Sequence, residues 1–198
     1  IIANPDIHVT PRCIRRVKDA LDKTQGAVAA SARVKDPMGG ELFSYWTLLP
    51  LWKDLLDTGL VTRRLFKAML NTPSYRLAYA GDEDCRLVDA VPGSFFMLKT
   101  GILTPGEIKE VFDKHIFLYY EEKVLGQKFR KMGLKTVLVT DESYVHAHSV
   151  SIDKSFKRIV DKQRLLHRSK LYYYKEYLGT GPAGMAAARA VLGLVLAE

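Results

Sequence analysis

Residues 1–34 read IIANPDIHVT PRCIRRVKDA LDKTQGAVAA SARV, and this opening decides the fold class. Ile1-Ile2-Ala3 is the end of an apolar run with strand character, and Asn4-Pro5-Asp6 behind it is a turn signal. Thr10-Pro11 places an N-cap before a proline at the first helical position, and Ile14, Val17, Ala20 and Leu21 then recur at helical spacing as far as Lys23. Gln25-Gly26 closes that helix. Ala27–Val34, small and β-branched, reads as a second strand. Strand, turn, helix, strand is the βα unit of an α/β sheet. Ile1–Ala3 carries a further expectation. A buried strand needs neighbours on both sides, and the next plausible one begins only at Ala27. With no initiator methionine, polar lead-in or signal-peptide pattern before it, the 198 residues are expected to be less than the whole folding unit.

Working outward, Lys35–Gly40 is a loop, and residues 42–70 form an aromatic and aliphatic insertion broken by Pro50 and Gly59, best read as several short helices. Arg76–Tyr79, Leu87–Val91 and Ser94–Leu98 are strand candidates, the last preceded by Pro92-Gly93. Pro105–Phe112 is a short helix, Glu121–Met132 a longer one closed by Gly133, and Thr136–Val139 a buried strand. Tyr144-Val145 lead into His146-Ala147-His148-Ser149. From Asp153 the chain reads as helical. Ile152, Phe156, Ile159, Gln163 and Leu166 share one face, and the opposite face is basic. Ala183–Ala197 is a final apolar helix, too short to cross a bilayer. The organisation expected is a sheet domain over 1–151 and a helical tail over 152–198.

The composition, 47% apolar and 26% charged, excludes a disordered, collagenous or coiled-coil chain. Cys13 and Cys85 are too few for a zinc cluster or a disulfide framework, and the simplest reading is a reducing compartment. A formal charge of +8 calls for a polyanionic partner to be considered.

Four places can carry chemistry, and each also has a plainer structural reading. Asp6, at the carboxyl end of a strand, is where α/β sheets bind ligands and can hold a divalent cation, or it merely redirects the chain. Glu121-Glu122 open a helix whose dipole favours them, and neighbouring carboxylates with different surroundings can also divide acid and base roles. His146 and His148 fall on one side of an extended segment, as metal ligands or as a hydrogen-bonded pair. Gly93-Ser94-Phe95-Phe96 offers close backbone approach and two rings, for a ligand or for a core.

Taken in order, Asn4-Pro5-Asp6, Pro92-Gly93-Ser94-Phe95-Phe96, Phe117-Leu118-Tyr119-Tyr120-Glu121-Glu122, Arg130-Lys131-Met132-Gly133 and His146-Ala147-His148-Ser149 resemble a family-two glycosyltransferase of the GT-A fold, in particular the bacterial rhamnosyltransferase-like members that build surface polysaccharides. The resemblance runs from Ile1 to about Ser151 and more loosely to Leu178. It implies a mixed sheet flanked by helices, with the nucleotide-binding half of the domain absent from these residues and the chain inactive alone. Asp6 would touch Mg2+ or Mn2+ on the donor diphosphate, with Asn4 in the place of the other carboxylate. Glu122 would be the catalytic base, with Glu121 as the fallback, and Val124 replaces an acidic position common in relatives. His146 or His148 would reach the metal or diphosphate, and Gly93, Ser94, Phe95, Phe96 and Tyr120 would line the acceptor side.

The implied reaction is inverting transfer from a nucleotide-sugar donor to a saccharide or lipid-linked saccharide acceptor, in the cytoplasm or at the inner face of the cell membrane. The basic stretch Lys154–Lys175, carrying Tyr172-Tyr173-Tyr174, suits an anionic membrane surface better than nucleic acid, and its plainer reading is a solvated helix face packing on the domain. The alternative classes are a nucleic-acid-binding domain or a non-catalytic interaction module. The apolar last helix makes self-association as a homo-oligomer reasonable.

Overall fold

The computed structural model describes residues 1–70, 84–116, 118–147 and 159–196. Its strands are β1 (Ile2–Ala3), β2 (Ile7–His8), β3 (Ala27–Lys35), β4 (Cys85–Val88), β5 (Phe95–Leu98) and β6 (Lys135–His146). Its α-helices are α1 (Pro11–Lys23), α2 (Leu51–Leu56), α3 (Leu60–Leu65), α4 (Lys67–Leu70), α5 (Pro105–Glu110), α6 (Glu121–Lys131), α7 (Ile159–Glu176) and α8 (Pro182–Val195). The fold is mixed α/β. The chain divides into two compact units, the first comprising Ile1–Leu48, Tyr75–Lys114 and Glu121–Val150, the second Leu49–Ser74, His115–Tyr120 and Ser151–Glu198. The short helices of the 42–70 insertion thus fall in the same unit as the C-terminal helices.

The first unit is built on a six-stranded mixed sheet of order β1-β5-β3-β6-β2, with β4 also paired to β6. Strands β3 and β6 are parallel, with Ala30 opposite Val137 and Val34 opposite Tyr144. Strand β5 runs antiparallel between β1 and β3. The carboxyl ends of β1, β3 and β6 and the amino end of β5 therefore share one edge of the sheet. Alternation sends Phe95, Val137 and Val139 into a core with Cys13, Val17 and Leu21 of α1, and sends Phe96 and Leu138 into a second core with Leu125 and Phe129 of α6. A sheet with packed cores on both faces explains why Ala27–Val34 is a nearly continuous apolar run.

Local signals set the elements. Thr10 caps α1 by accepting the Cys13 N–H at 3.1 Å, with Pro11 in the first turn. The buried stripe is Cys13, Val17, Ala20 and Leu21, so Cys13 takes the innermost place expected of Ile14. Helix α6 ends where Gly133 takes φ +70°, a conformation that suits glycine.

Within the described residues β1 pairs with β5 and is the outermost strand of the path, with Ile1 exposed and Ile2 half-buried. Several expectations are corrected. Strand β4 begins at Cys85 and ends at Val88 rather than spanning Leu87–Val91, because Ala90 turns away to bridge Trp46. Thr136–Val139 is only the first part of a twelve-residue strand, whose register against β3 shifts between Ala32 and Arg33. The polar residues at that irregularity are held from α1, Asp141 by Arg16 and Glu142 by Arg12. The strand expected at Arg76–Tyr79 lies outside the described residues, as do His148, Ile152 and Phe156.

In the second unit α7 buries the continuation of the expected face, on which Lys170 and Tyr173 follow Gln163 and Leu166 at the same helical spacing. Its innermost residues are His167, Ser169, Lys170, Tyr173 and Tyr174, while Gln163 is only half-buried. Asp54 organises that interior. Its Oδ2 accepts the Tyr120 hydroxyl at 2.5 Å, the Tyr174 hydroxyl at 2.6 Å and the Lys170 ammonium at 3.2 Å. Lys170 also donates to Thr58 and sits 5.4 Å from the centre of the Tyr120 ring. One cation of the basic stretch is therefore core rather than surface, and with Tyr173 and Tyr174 fully buried those two rings cannot stack on bases. Helix α8 buries Met185, Ala188 and Leu192. Among the described residues no helix is long and apolar enough to cross a membrane.

Candidate active site

The edge that collects the carboxyl ends of β1, β3 and β6 also collects most of the residues singled out above. Asn4 donates its backbone N–H to the Ser94 carbonyl at 2.8 Å, and Ala147 donates to the Asp6 carbonyl at 3.0 Å. The Asn4-Pro5-Asp6 turn is thus stitched between the start of β5 and the end of β6. This brings Asp6 Oδ1 to 3.3 Å from His146 Nε2, two side chains 140 positions apart in sequence and only 22% and 11% exposed. The Asn4 residue itself is exposed.

Gly93, the neighbour of Ser94, continues the connection to α6. Its N–H points at Glu122 Oε1 at 3.4 Å, and a Cβ built on Gly93 would stand 3.5 Å from the same oxygen and 3.9 Å from Glu121 Cγ. The Glu122 carboxylate therefore faces the backbone at the amino end of β5, with the Glu121 side chain beside it. Gly126, one turn along the helix from Glu122, fixes the depth of α6: a side chain there would put its Cβ 2.4 Å from the Asp89 carbonyl oxygen. Glycine is required for that close approach, and through it the helix start is held against the sheet.

The acid pair is short of partners. Burial pushes both carboxyls above the ordinary glutamate range, Glu121 to about 8, with the neighbouring Glu122 charge as the second cause. The two differ in what opposes the shift. Glu122 has its own backbone N–H, the Gly93 N–H and the Lys123 charge to favour its carboxylate, whereas Glu121 has only its own backbone N–H, and its Oε2 is buried without a hydrogen-bond partner among the described residues. Glu122 is thus the better supplied of two coupled carboxyls, both of which hold a proton to higher pH than an ordinary glutamate.

A second layer lies beneath. Ser94 Oγ and the Tyr144 hydroxyl are 2.7 Å apart, and Ser31 donates to the Phe95 carbonyl at 2.7 Å. Burial pushes the Tyr144 phenol well above its usual value, so it stays protonated. Sequence reasoning missed Tyr144 and Ser31 as supports. Tyr144 was visible only as a residue leading into the His146 segment.

Three residues expected on the acceptor side are placed elsewhere. Phe95 and Phe96 are spent on the two cores, because successive residues of a strand covered on both faces point into opposite interiors. Tyr120 belongs to the second unit and commits its hydroxyl to Asp54. Gly93 and Ser94 do lie at the edge. Val124 is buried.

A carboxylate beside an imidazole suits a divalent cation whose remaining positions are filled by phosphate oxygens and water. Among the described residues no group of three or more His, Cys, Asp or Glu side chains is arranged to hold a metal, so a ligand would have to complete such a site. No protein-family model matches the chain, and no curated protein matches it in sequence.

Proposed function

We propose that this chain supplies the general base and the cation-side residues of an inverting GT-A glycosyltransferase, acting on a nucleotide-sugar donor and a saccharide acceptor. The observation that carries this reading is the meeting, at one sheet edge, of the Asp6–His146 pair and the undersupplied Glu121–Glu122 pair, linked through Gly93 and Ser94. The order of motifs resembling that family supports it further.

In this mechanism Glu122 accepts the proton of an acceptor hydroxyl as that oxygen bonds to the anomeric carbon and the bond from that carbon to the nucleoside diphosphate breaks. Attack from the side opposite the leaving group inverts the configuration. Burial helps Glu122, since a base with a raised pKa takes a proton more readily while the Gly93 N–H keeps it ionised. A proton held on Glu121 would spare Glu122 a second negative charge beside it. Mg2+ or Mn2+ held by Asp6 and His146 would supply positive charge to the departing diphosphate.

The test is Glu122→Gln in the longest natural form of the protein. The amide keeps the size and loses the base, so transfer should fall by about 10²–10⁴-fold with unchanged thermal stability. Full activity in that variant moves the role to Glu121, and full activity in both single variants ends the proposal.

A further inference from the structure

The second unit carries an apolar surface that nothing in the transfer chemistry uses. Trp52, Val61, Leu65, Met69 and Leu194 are each between 49 and 74% exposed. Val61, Leu65 and Met69 recur every fourth residue along α3 and α4, which only Phe66 separates, so they form one stripe. Val195, between the exposed Leu194 and Leu196, reaches 3.4 Å from the position of a Cβ on Gly59, the residue capping α3, so the end of α8 emerges beside that stripe. Leu51, next to Trp52, lies against Gly184 at the other end of α8.

The segments that carry this surface have an excess of cations. Residues 49–70 and 182–196 contain five Lys or Arg (Lys53, Arg63, Arg64, Lys67 and Arg189) and two acids. Asp54 is buried on Lys170, and Asp57 is paired with Arg63 at 3.0 Å. Arg64 is exposed on the stripe itself, three residues from Val61 and beside Leu65, and Lys53 lies 5.3 Å over the Trp52 ring. Exposed aliphatic side chains, an amphipathic tryptophan and an excess of cations match the boundary of an anionic bilayer, where apolar groups enter the acyl region and cations meet headgroup phosphates.

We propose that the α3–α4 stripe, with Trp52 and the end of α8, docks the second unit onto a bilayer rich in anionic phospholipid. The surface is independent of the acid pair, and its test does not depend on sugar transfer. It also differs from the Lys154–Lys175 stretch, whose Lys170 is buried.

Sedimentation with vesicles of phosphatidylcholine, alone or mixed with phosphatidylglycerol, tests it. The whole chain should pellet with the anionic vesicles, less so at high salt, and Val61→Ser/Leu65→Ser/Met69→Ser should bind roughly tenfold or more weakly. Arg64→Glu should weaken binding to anionic vesicles alone. A second measurement needs no variant of the stripe: in a Trp46→Phe background, Trp52 emission should shift to the blue on adding anionic vesicles and be quenched by brominated acyl chains. Absence of binding, unaltered binding by the folded triple variant, or a solution mass that drops from dimer to monomer in that variant without vesicle binding overturns the proposal. The last outcome would make the stripe a contact between copies.

Discussion

Each unit takes carboxylates out of open solvent, Asp54 in the second and Glu121–Glu122 in the first, and the two settings treat them in opposite ways. In the second unit one oxygen of Asp54 receives two phenolic hydroxyls and an ammonium. The Tyr120 and Tyr174 phenols are pushed up by burial first and by Asp54 second, so both remain protonated donors. In the first unit Glu122 receives its own backbone N–H and a long contact from that of Gly93, and Glu121 Oε2 has no partner among the described residues. A carboxylate oxygen given three donors is held ionised and serves structure, whereas an undersupplied one is poised to take a proton. Both sites hold acids at low exposure, and only the supply of donors separates them.

The contrast breaks most visibly at Asp54. Asp54→Asn keeps the shape but leaves the Lys170 ammonium buried without its charge partner, which should cost about 3–5 kcal/mol. Chemical denaturation followed by Trp52 fluorescence, with Trp46→Phe, reads this out, and Lys170→Met added to Asp54→Asn should recover part of the loss. The matching substitution Glu122→Gln should leave unfolding nearly unchanged, because it removes a charge that burial already disfavours. If both amides cost the same, the distinction between structural and reactive carboxylates fails.

A smaller effect is expected where α6 meets the sheet. Gly126→Ala drives a Cβ into the Asp89 carbonyl, and the helix must move away. A loss of about 1–3 kcal/mol in stability is expected, together with reduced transfer as Glu122 leaves the Gly93 N–H. Gly93→Ala is the control, since its Cβ would meet only ordinary contacts of 3.5 Å or more. A Gly126→Ala protein more active than Gly93→Ala would show that the depth of α6 does not position the acid.

How much of the fold is legible in the residues alone depends on the reach of each interaction. Helix α1, its Thr10 cap and the Gly133 terminator are decided within a few neighbours, so spacing and turn chemistry reveal them. The continuity of β6 is not visible, because Asp141 and Glu142 look like a break until Arg16 and Arg12 of α1 neutralise them. Lys170 reads as one more cation of a basic helix, and only Asp54, 116 positions earlier, makes it a core residue. At the candidate site, strand ends and a helix start could be anticipated at one edge from the βα pattern. The direct Asp6–His146 contact and the commitment of Phe95, Phe96 and Tyr120 to packing depend on which faces of the sheet and which helices cover them.

The finest test of the comparison is the pH dependence of unfolding. Glu121 and Glu122 are raised in the folded chain, so between the ordinary glutamate value near 4.3 and the folded value of about 8 for Glu121 the native state binds more protons than the unfolded one. Stability from this pair is therefore complete below about pH 4.3 and is lost as pH rises towards 8, the reverse of a carboxylate held by a salt bridge. The first unit, followed by Trp46 with Trp52→Phe, should lose on the order of 1–2 kcal/mol from this source between mildly acidic and mildly alkaline buffer. Glu121→Gln, which cannot ionise, should flatten that slope, and Glu122→Gln should flatten it less, because Glu122 already has the Gly93 N–H and the Lys123 charge on its carboxylate. A slope that survives Glu121→Gln undiminished would place the shared proton on Glu122, and the base of the proposed reaction would then be Glu121.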